Sequence, residues 1–193
     1  MKKIPVWAWV LGVVVVLGLW IMSSYNGLVG AKGAVDNSWA QVQVQYQRRA
    51  DLVPQLVATV QGAADFESST LEEVTKARTN WMNVSQDSDA TLSDQIASSN
   101  AFDSAMSRLL VTVESYPTLT ATEGFQTLQA QLEGNENRIS VARKDFNDSA
   151  TTYNVKVKTV PTVILANLFG FDAYPLFESA SGADVAPTIE FTK

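Results

Sequence analysis

Glu133 and Glu136 stand one helical turn apart, and Glu72 and Glu73 are adjacent. Paired carboxylates are the groups in this chain able to do general acid–base work, provided that a cleft and burial push their pKa values apart. Between helices such pairs can also hold two metals, but that pattern adds a histidine three residues after a glutamate. The sequence contains no histidine and no cysteine. Imidazole bases, thiolate nucleophiles, disulfides and Cys/His zinc sites are excluded together. No G-x-S-x-G elbow surrounds any serine. No catalytic residue, metal or cofactor is expected. A carboxylate-based hydrolase is the one enzymatic reading, and it requires a solvent-open pocket at Glu133 and Glu136.

The remaining charge of interest lies inside an apolar pattern. Gln41 to Gly62 reads QVQVQYQRRADLVPQLVATVQG, with Arg48, Arg49 and Asp51 at its centre. A second polar stretch holds Glu133, Asn135, Glu136, Asn137, Arg138 and Arg143. Arg48, Arg49, Asp51, Glu133, Glu136, Arg138 and Arg143 are read as one structural network, of the kind that fixes how helices register against each other. The elements that position it are helices. Leu28, Val35, Trp39, Val42, Tyr46, Val53, Leu56 and Val60 recur at intervals of three, four or seven, the seam of a helix packed on others. Pro54 inside that seam predicts a kink near Ala50, because proline has no N–H to give the carbonyl four residues back.

Upstream, Ile4 to Ala31 carries no charge, and Val6 to Met22 is solidly apolar. A bilayer needs about 20 such residues, and Trp7, Trp9, Trp20 and Tyr25 lie towards the ends, as interfacial aromatics do. A cleaved signal peptide is the alternative; cutting at Val29-Gly30-Ala31 would remove the start of the seam. Lys2 and Lys3 precede the span and Lys32 follows it, which favours a cytoplasmic N-terminus. The whole chain carries −6, but those three lysines are the only charges before Asp36, so the remainder carries 11 basic and 20 acidic side chains, a net of −9. An acidic domain without a basic stripe argues against nucleic acid and against anionic headgroups as an electrostatic partner. Gly27, Gly30 and Gly33 follow no strand, so they are not read as a phosphate loop. Gly30, Ala34 and Ser38 repeat every fourth residue and form a face that another helix can approach closely, within the domain or in a second copy near the membrane.

Three further helices are expected. The second starts near Ser69, with Glu72 completing a capping box, and carries Leu71, Val74, Arg78 and Trp81. Asn83 to Thr91 reads as a loop, and the third helix runs from Leu92 to Tyr116, stopped by Pro117. Thr120 and Glu123 are spaced as a box opening the fourth, which holds Phe125, Leu128, Leu132, Ile139, Ala142, Phe146, Tyr153 and Val157 up to Pro161. The expected fold is all-α: residues 1–24 a cytoplasmic stub and transmembrane helix, continuing into an antiparallel up-and-down four-helix bundle over 25–160 with two long outer helices. By parity the fourth helix returns to the bilayer. The apolar segment 161–173 then lies on the membrane or caps that end of the bundle; it is too short to span. Residues 174–193 read as a mostly flexible tail, in which Ile189-Glu190-Phe191 could add as a short strand.

YNGLV at Tyr25, VDNSWAQVQVQYQRRADLVPQLVATVQG from Val35, TKAR at Thr75, VESYPTL at Val113 and LEGNENRISVARKDFN from Leu132 together resemble the bacterial LemA family. TTYN at Thr151, VPTVILANLFGF and the closing APTIEF extend the match over nearly the whole chain after the span. The resemblance implies a short cytoplasmic N-terminus, one signal-anchor in the inner membrane, a four-helix domain outside with coiled-coil-like packing, and association with membrane organisation or envelope stress. It implies no catalytic residue. Family members often carry an aromatic and a histidine after the motif's glycine, where this chain has Ala63 and Phe66. The expected role is a membrane-anchored scaffold that binds itself or other envelope proteins. A regulatory partner of a membrane protease is the second reading and the hydrolase the third.

Overall fold

The apolar run and the seam that follows it belong to a single helix in the computed structural model, which describes residues 6–62 and 67–178. That helix, α1, extends over Val6–Gln61, 56 residues, or about 84 Å. Its N-terminal stretch is long and apolar enough to cross a membrane, and none of the other described residues packs against it. A soluble core helix buries such a surface; this one leaves Trp7, Val14, Leu19 and Met22 bare. From Leu28 onward the seam is buried: Leu28, Val35, Val42, Tyr46, Val53, Leu56 and Val60 are all in the core, with Trp39 partly covered.

The chain continues through α2 (Ser68–Gln86), α3 (Leu92–Val113), α4 (Pro117–Thr120), α5 (Glu123–Lys158) and α6 (Thr162–Phe169), with no strand among the described residues. α1 packs along α5, and α2 pairs with α3 and touches α1. Partners on α1 and α5 run in opposite order: the Trp39 ring meets Phe146 at 5.2 Å, while further out Arg49 meets Glu136. Each expected seam residue of α5, from Phe125 to Val157, is buried.

Pro54 does not interrupt α1. The carbonyl it leaves unserved, that of Ala50, accepts a hydrogen bond from Arg78 Nε at 2.7 Å. Arg78 thus substitutes for the missing N–H from the neighbouring helix. Replacing Arg78 by Met is expected to cost about 1–3 kcal/mol, because a buried acceptor loses its partner. In a Pro54→Ala background the backbone N–H returns and the same substitution is expected to cost clearly less. Chemical denaturation of the four proteins in the cycle measures this, and equal costs in both backgrounds would refute the substitution of one donor for the other.

Helix boundaries depart from expectation at the caps. α2 starts after Glu67, whose side chain accepts from Ser69 Oγ instead of Ser69 capping with Glu72, and it runs on to Gln86, so the loop is shorter than Asn83 to Thr91. The full capping box lies at Thr91, which accepts from the Asp94 N–H while the Asp94 carboxylate takes the Thr91 N–H at 3.0 Å. α3 ends at Val113, ahead of Tyr116. Thr120 belongs to the one-turn α4; Thr122 caps α5 by accepting from Phe125 N–H. At α3 and α5 the threonine that sits at the N-cap reaches the free N–H groups, whereas no side chain caps α2.

After α5 the chain turns at Val160 and Pro161 into α6, which Gly170 ends in the left-handed conformation (φ 71°) that spares it a side-chain clash. Leu165 and Ala166 are buried and α6 packs on both α1 and α5. Tyr25 meets the rings of Phe169 at 5.1 Å and Phe171 at 5.7 Å. One face of segment 160–171 therefore covers the end of the helices nearest the apolar stretch.

The tail expected from Tyr174 is ordered at its start, which corrects that reading for residues 174–178. Asn154 grips Tyr174 through two backbone bonds of 2.8 Å, and Asn147 does the same for Phe177 at 2.9 and 3.0 Å. The Phe177 ring fills the space between Trp39 and Phe146. Two amides with both donor and acceptor in place explain why an aperiodic segment docks. Residues 179–193, including Ile189-Glu190-Phe191, lie outside the described residues.

Candidate functional site

The polar centre of the helices is built around Arg49 and Tyr46 on α1, Asp103 on α3 and Glu136 and Arg143 on α5. Arg49, only 3% exposed, places one guanidinium nitrogen on Asp103 and the other on Glu136. Arg143 reaches the other oxygen of Asp103, the Tyr46 hydroxyl and, at 3.1 Å, Asn100 Oδ1. Tyr46 donates to Asp103 at 2.8 Å and its ring lies against Trp81. The Arg143 guanidinium also covers the Phe177 ring at 4.5 Å. One carboxylate thus accepts from two arginines and a phenol and ties three helices together.

Burial pushes the Asp103 carboxyl above the ordinary aspartate range, against the pull of Arg143, Arg49 and the Tyr46 hydroxyl. Burial, with the Asp103 charge beside it, also drives the Tyr46 phenol strongly upward, so it remains a neutral donor. Beneath these residues Asn135, 2% exposed, donates to the Gln45 carbonyl at 3.1 Å.

Of the residues expected in the network, Arg49, Glu136 and Arg143 come together. Arg48, Asp51 and Arg138 line a separate groove with Thr127, Gln131 and Asn135, and Asp51 accepts from Gln47. Glu133 accepts from Gln129 on the surface of α5. Asp103 and Tyr46 are members that the sequence reading missed. Asp103 carried a signal: it continues the buried face of α3 at one-turn spacing from Ser99 and Met106. Arg49 likewise falls on the seam between Tyr46 and Val53, which separates it from Arg48.

Glu133 and Glu136 open onto a groove of about 530 Å³ between α3 and α5, lined also by Arg49, Asp103, Met106 and Leu132. Glu136 is 63% exposed, and its charge is already engaged by Arg49. Glu72 and Glu73 sit on the surface, with Lys76 and Arg108 as their partners. Among the described residues no cluster of three or more acidic side chains is arranged to hold a metal. On the small-residue face Ser38 is buried and donates to Val35 O at 2.9 Å, whereas Gly30 and Ala34 are exposed. A Cβ at Gly30 would meet nothing within 4 Å.

A long apolar helix prolonged into an all-helical domain, with an arginine–aspartate clasp where the helices meet, defines a helical protein of membrane type. The chain belongs to the LemA family, whose model matches residues 38–191. It is similar to the magnetosome protein MamQ 2 of Paramagnetospirillum magneticum, 26% identical over 85% of this chain and 68% of that protein. A magnetosome protein MamQ of Magnetospirillum gryphiswaldense is 33% identical over 46% of this chain and 33% of its own length. Protein LemA of Metamycoplasma hominis is 24% identical over 80% of this chain and 69% of that protein. None of these names denotes a reaction.

Proposed function

We propose that this protein is a membrane-anchored helical scaffold of the bacterial cell envelope. Its anchor spans the inner membrane once with the N-terminus in the cytoplasm, and an antiparallel four-helix bundle stands outside. It self-associates beside the membrane and takes part in membrane organisation or the response to envelope stress. The observation that carries this reading is α1 itself: one unbroken helix joins the bare apolar stretch to the buried seam of the domain. Relatives named as magnetosome proteins, and none named for a reaction, support this reading. Gly30 and Ala34, exposed and small, are open to close approach by a second copy. Arg49, Asp103 and Glu136 hold the helices in register in this reading, and the groove beside them has no chemical task.

The chain has no cysteine, so single cysteines report cleanly. Full-length Ala34→Cys in lipid is expected to yield a crosslinked dimer, while Val111→Cys, exposed on α3, yields none. The same reagent applied in native membranes separates the second reading: adducts to a membrane protease without self-adducts would make this a regulatory subunit. A monomer with neither adduct would overturn the scaffold.

A further inference from the structure

We propose that α6 is a second membrane contact: its outward side chains Ile164 and Leu168, with Val160 in the turn just before it, are seated in the interfacial layer of the bilayer that holds α1. The inference rests on the anchored reading of the preceding section and adds to it a site where the domain itself meets lipid.

Ile164 and Leu168 lie one turn apart on one side of α6, 64% and 72% exposed, and Val160, 76% exposed, stands in the turn just before it. The opposite side, Leu165 and Ala166, is buried against the domain. α6 therefore has an inner apolar face that the protein covers and an outer one that nothing among the described residues covers. In the domain's outer part, exposed apolar side chains such as Val44, Val111 and Val141 stand separately, and isolated ones are ordinary on any surface. A contiguous stripe is not.

Its position selects the occupant. The α6 end of the domain is the end from which the apolar stretch of α1 departs: Phe169 at the C-terminus of α6 touches Tyr25, and Phe171 touches the same ring. Tyr25 lies three residues beyond Met22, the last residue of the solidly apolar run, a rise of about 4.5 Å. Helices lying in a bilayer surface bury their apolar side about 5–10 Å into the boundary between headgroups and acyl chains. Through Phe169 and Tyr25 the outer side of α6 thus stands beside the start of the surface that α1 gives to lipid. Lys156 and Lys158, exposed in the last turn of α5, sit where a long basic side chain keeps its ammonium among headgroups while its stem lies against apolar surface. At eight residues, α6 is too short to cross, so it lies along the surface.

Nitroxide labels test this on the full-length protein in phosphatidylcholine nanodiscs, with Ile164→Cys and Leu168→Cys as reporters, Val14→Cys as the in-span reference and Val141→Cys as the aqueous one. The stripe positions are exposed, so labelling leaves the packing intact. The expected result is loss of collision with an aqueous nickel chelate and retention of collision with oxygen at 164 and 168, as at 14 and unlike 141. Water-accessible labels at 164 and 168 beside a lipid-buried label at 14 would overturn the membrane contact and leave the anchor standing. An aqueous label at 14 would remove the anchor itself, and α6's contact with it. Spin–spin broadening at 168 that disappears on dilution with unlabelled protein, with oxygen excluded, would assign the stripe to a second copy and overturn the proposal.

Discussion

Arg49→Met is expected to destabilise the domain by about 3–5 kcal/mol, the cost of removing one member of a buried ion pair and leaving the other behind. Arg49 is all but inaccessible and is the link between Asp103 on α3 and Glu136 on α5. The loss comes from the Asp103 side, because Glu136 is well exposed and water takes up its charge. The deficit is expected to depend on pH in a definite direction. Burial already holds Asp103 above its ordinary value of 3.8, so the native state keeps the proton to higher pH than the unfolded chain does. That contribution to stability is fully present below the unfolded value and is lost as pH rises through the raised native one. Arg49 is among the groups pulling the native value down; without it the value rises further. The Arg49→Met deficit is therefore expected to be largest at neutral pH and to shrink on acidification towards about pH 5. Adding Asp103→Leu should recover part of it, since the stranded carboxylate is removed while Arg143 and Tyr46 lose an acceptor. Denaturant midpoints of the single and double variants across pH measure this, and a deficit that deepens with acid would contradict the assigned role of Asp103.

Phe146→Ala is expected to cost a comparable amount, about 3–5 kcal/mol for a large aromatic deleted from a filled core. Phe146 is wholly buried and forms a three-ring cluster with Trp39 at 5.2 Å and Phe177 at 5.8 Å, which also meet each other at 5.9 Å. The deletion also uncovers Phe177, whose N–H is held by Asn147. Hydrogen exchange over residues 172–178 is expected to accelerate in Phe146→Ala. Asn147→Ala, which removes the hydrogen bonds and leaves the rings, should loosen the same segment at a global cost of only about 1 kcal/mol. A segment equally protected in both variants would mean that neither contact docks it.

The sequence made the long elements legible and their ends illegible, for different physical reasons. A seam from Leu28 to Val60, and another from Phe125 to Val157, repeat often enough that one helical phase fits and no other does. Caps depend on which of several nearby hydroxyls reaches a free N–H. At Thr120 against Thr122, spacing alone favoured the wrong one. In the polar centre Arg49 was readable from its phase in the seam, but the Arg48–Arg49 doublet concealed which arginine turned inward. Asp103 was overlooked because a lone aspartate among serines and alanines looks like surface; its phase with Ser99 and Met106 was the available clue. The docking of Tyr174 and Phe177 had none. An asparagine that holds a backbone from another segment leaves no periodicity in either strip of chain.

Because α1 is helical throughout from Val6 to Gln61, the proposed anchor and the domain are expected to tilt together. From Met22 to Gln61 the arm is about 58 Å. An inclination of about 20°, ordinary for a single span, swings its outer tip sideways by about 20 Å. In the proposed anchored state, whatever sets the inclination of the span therefore also sets the direction in which the distal loops point.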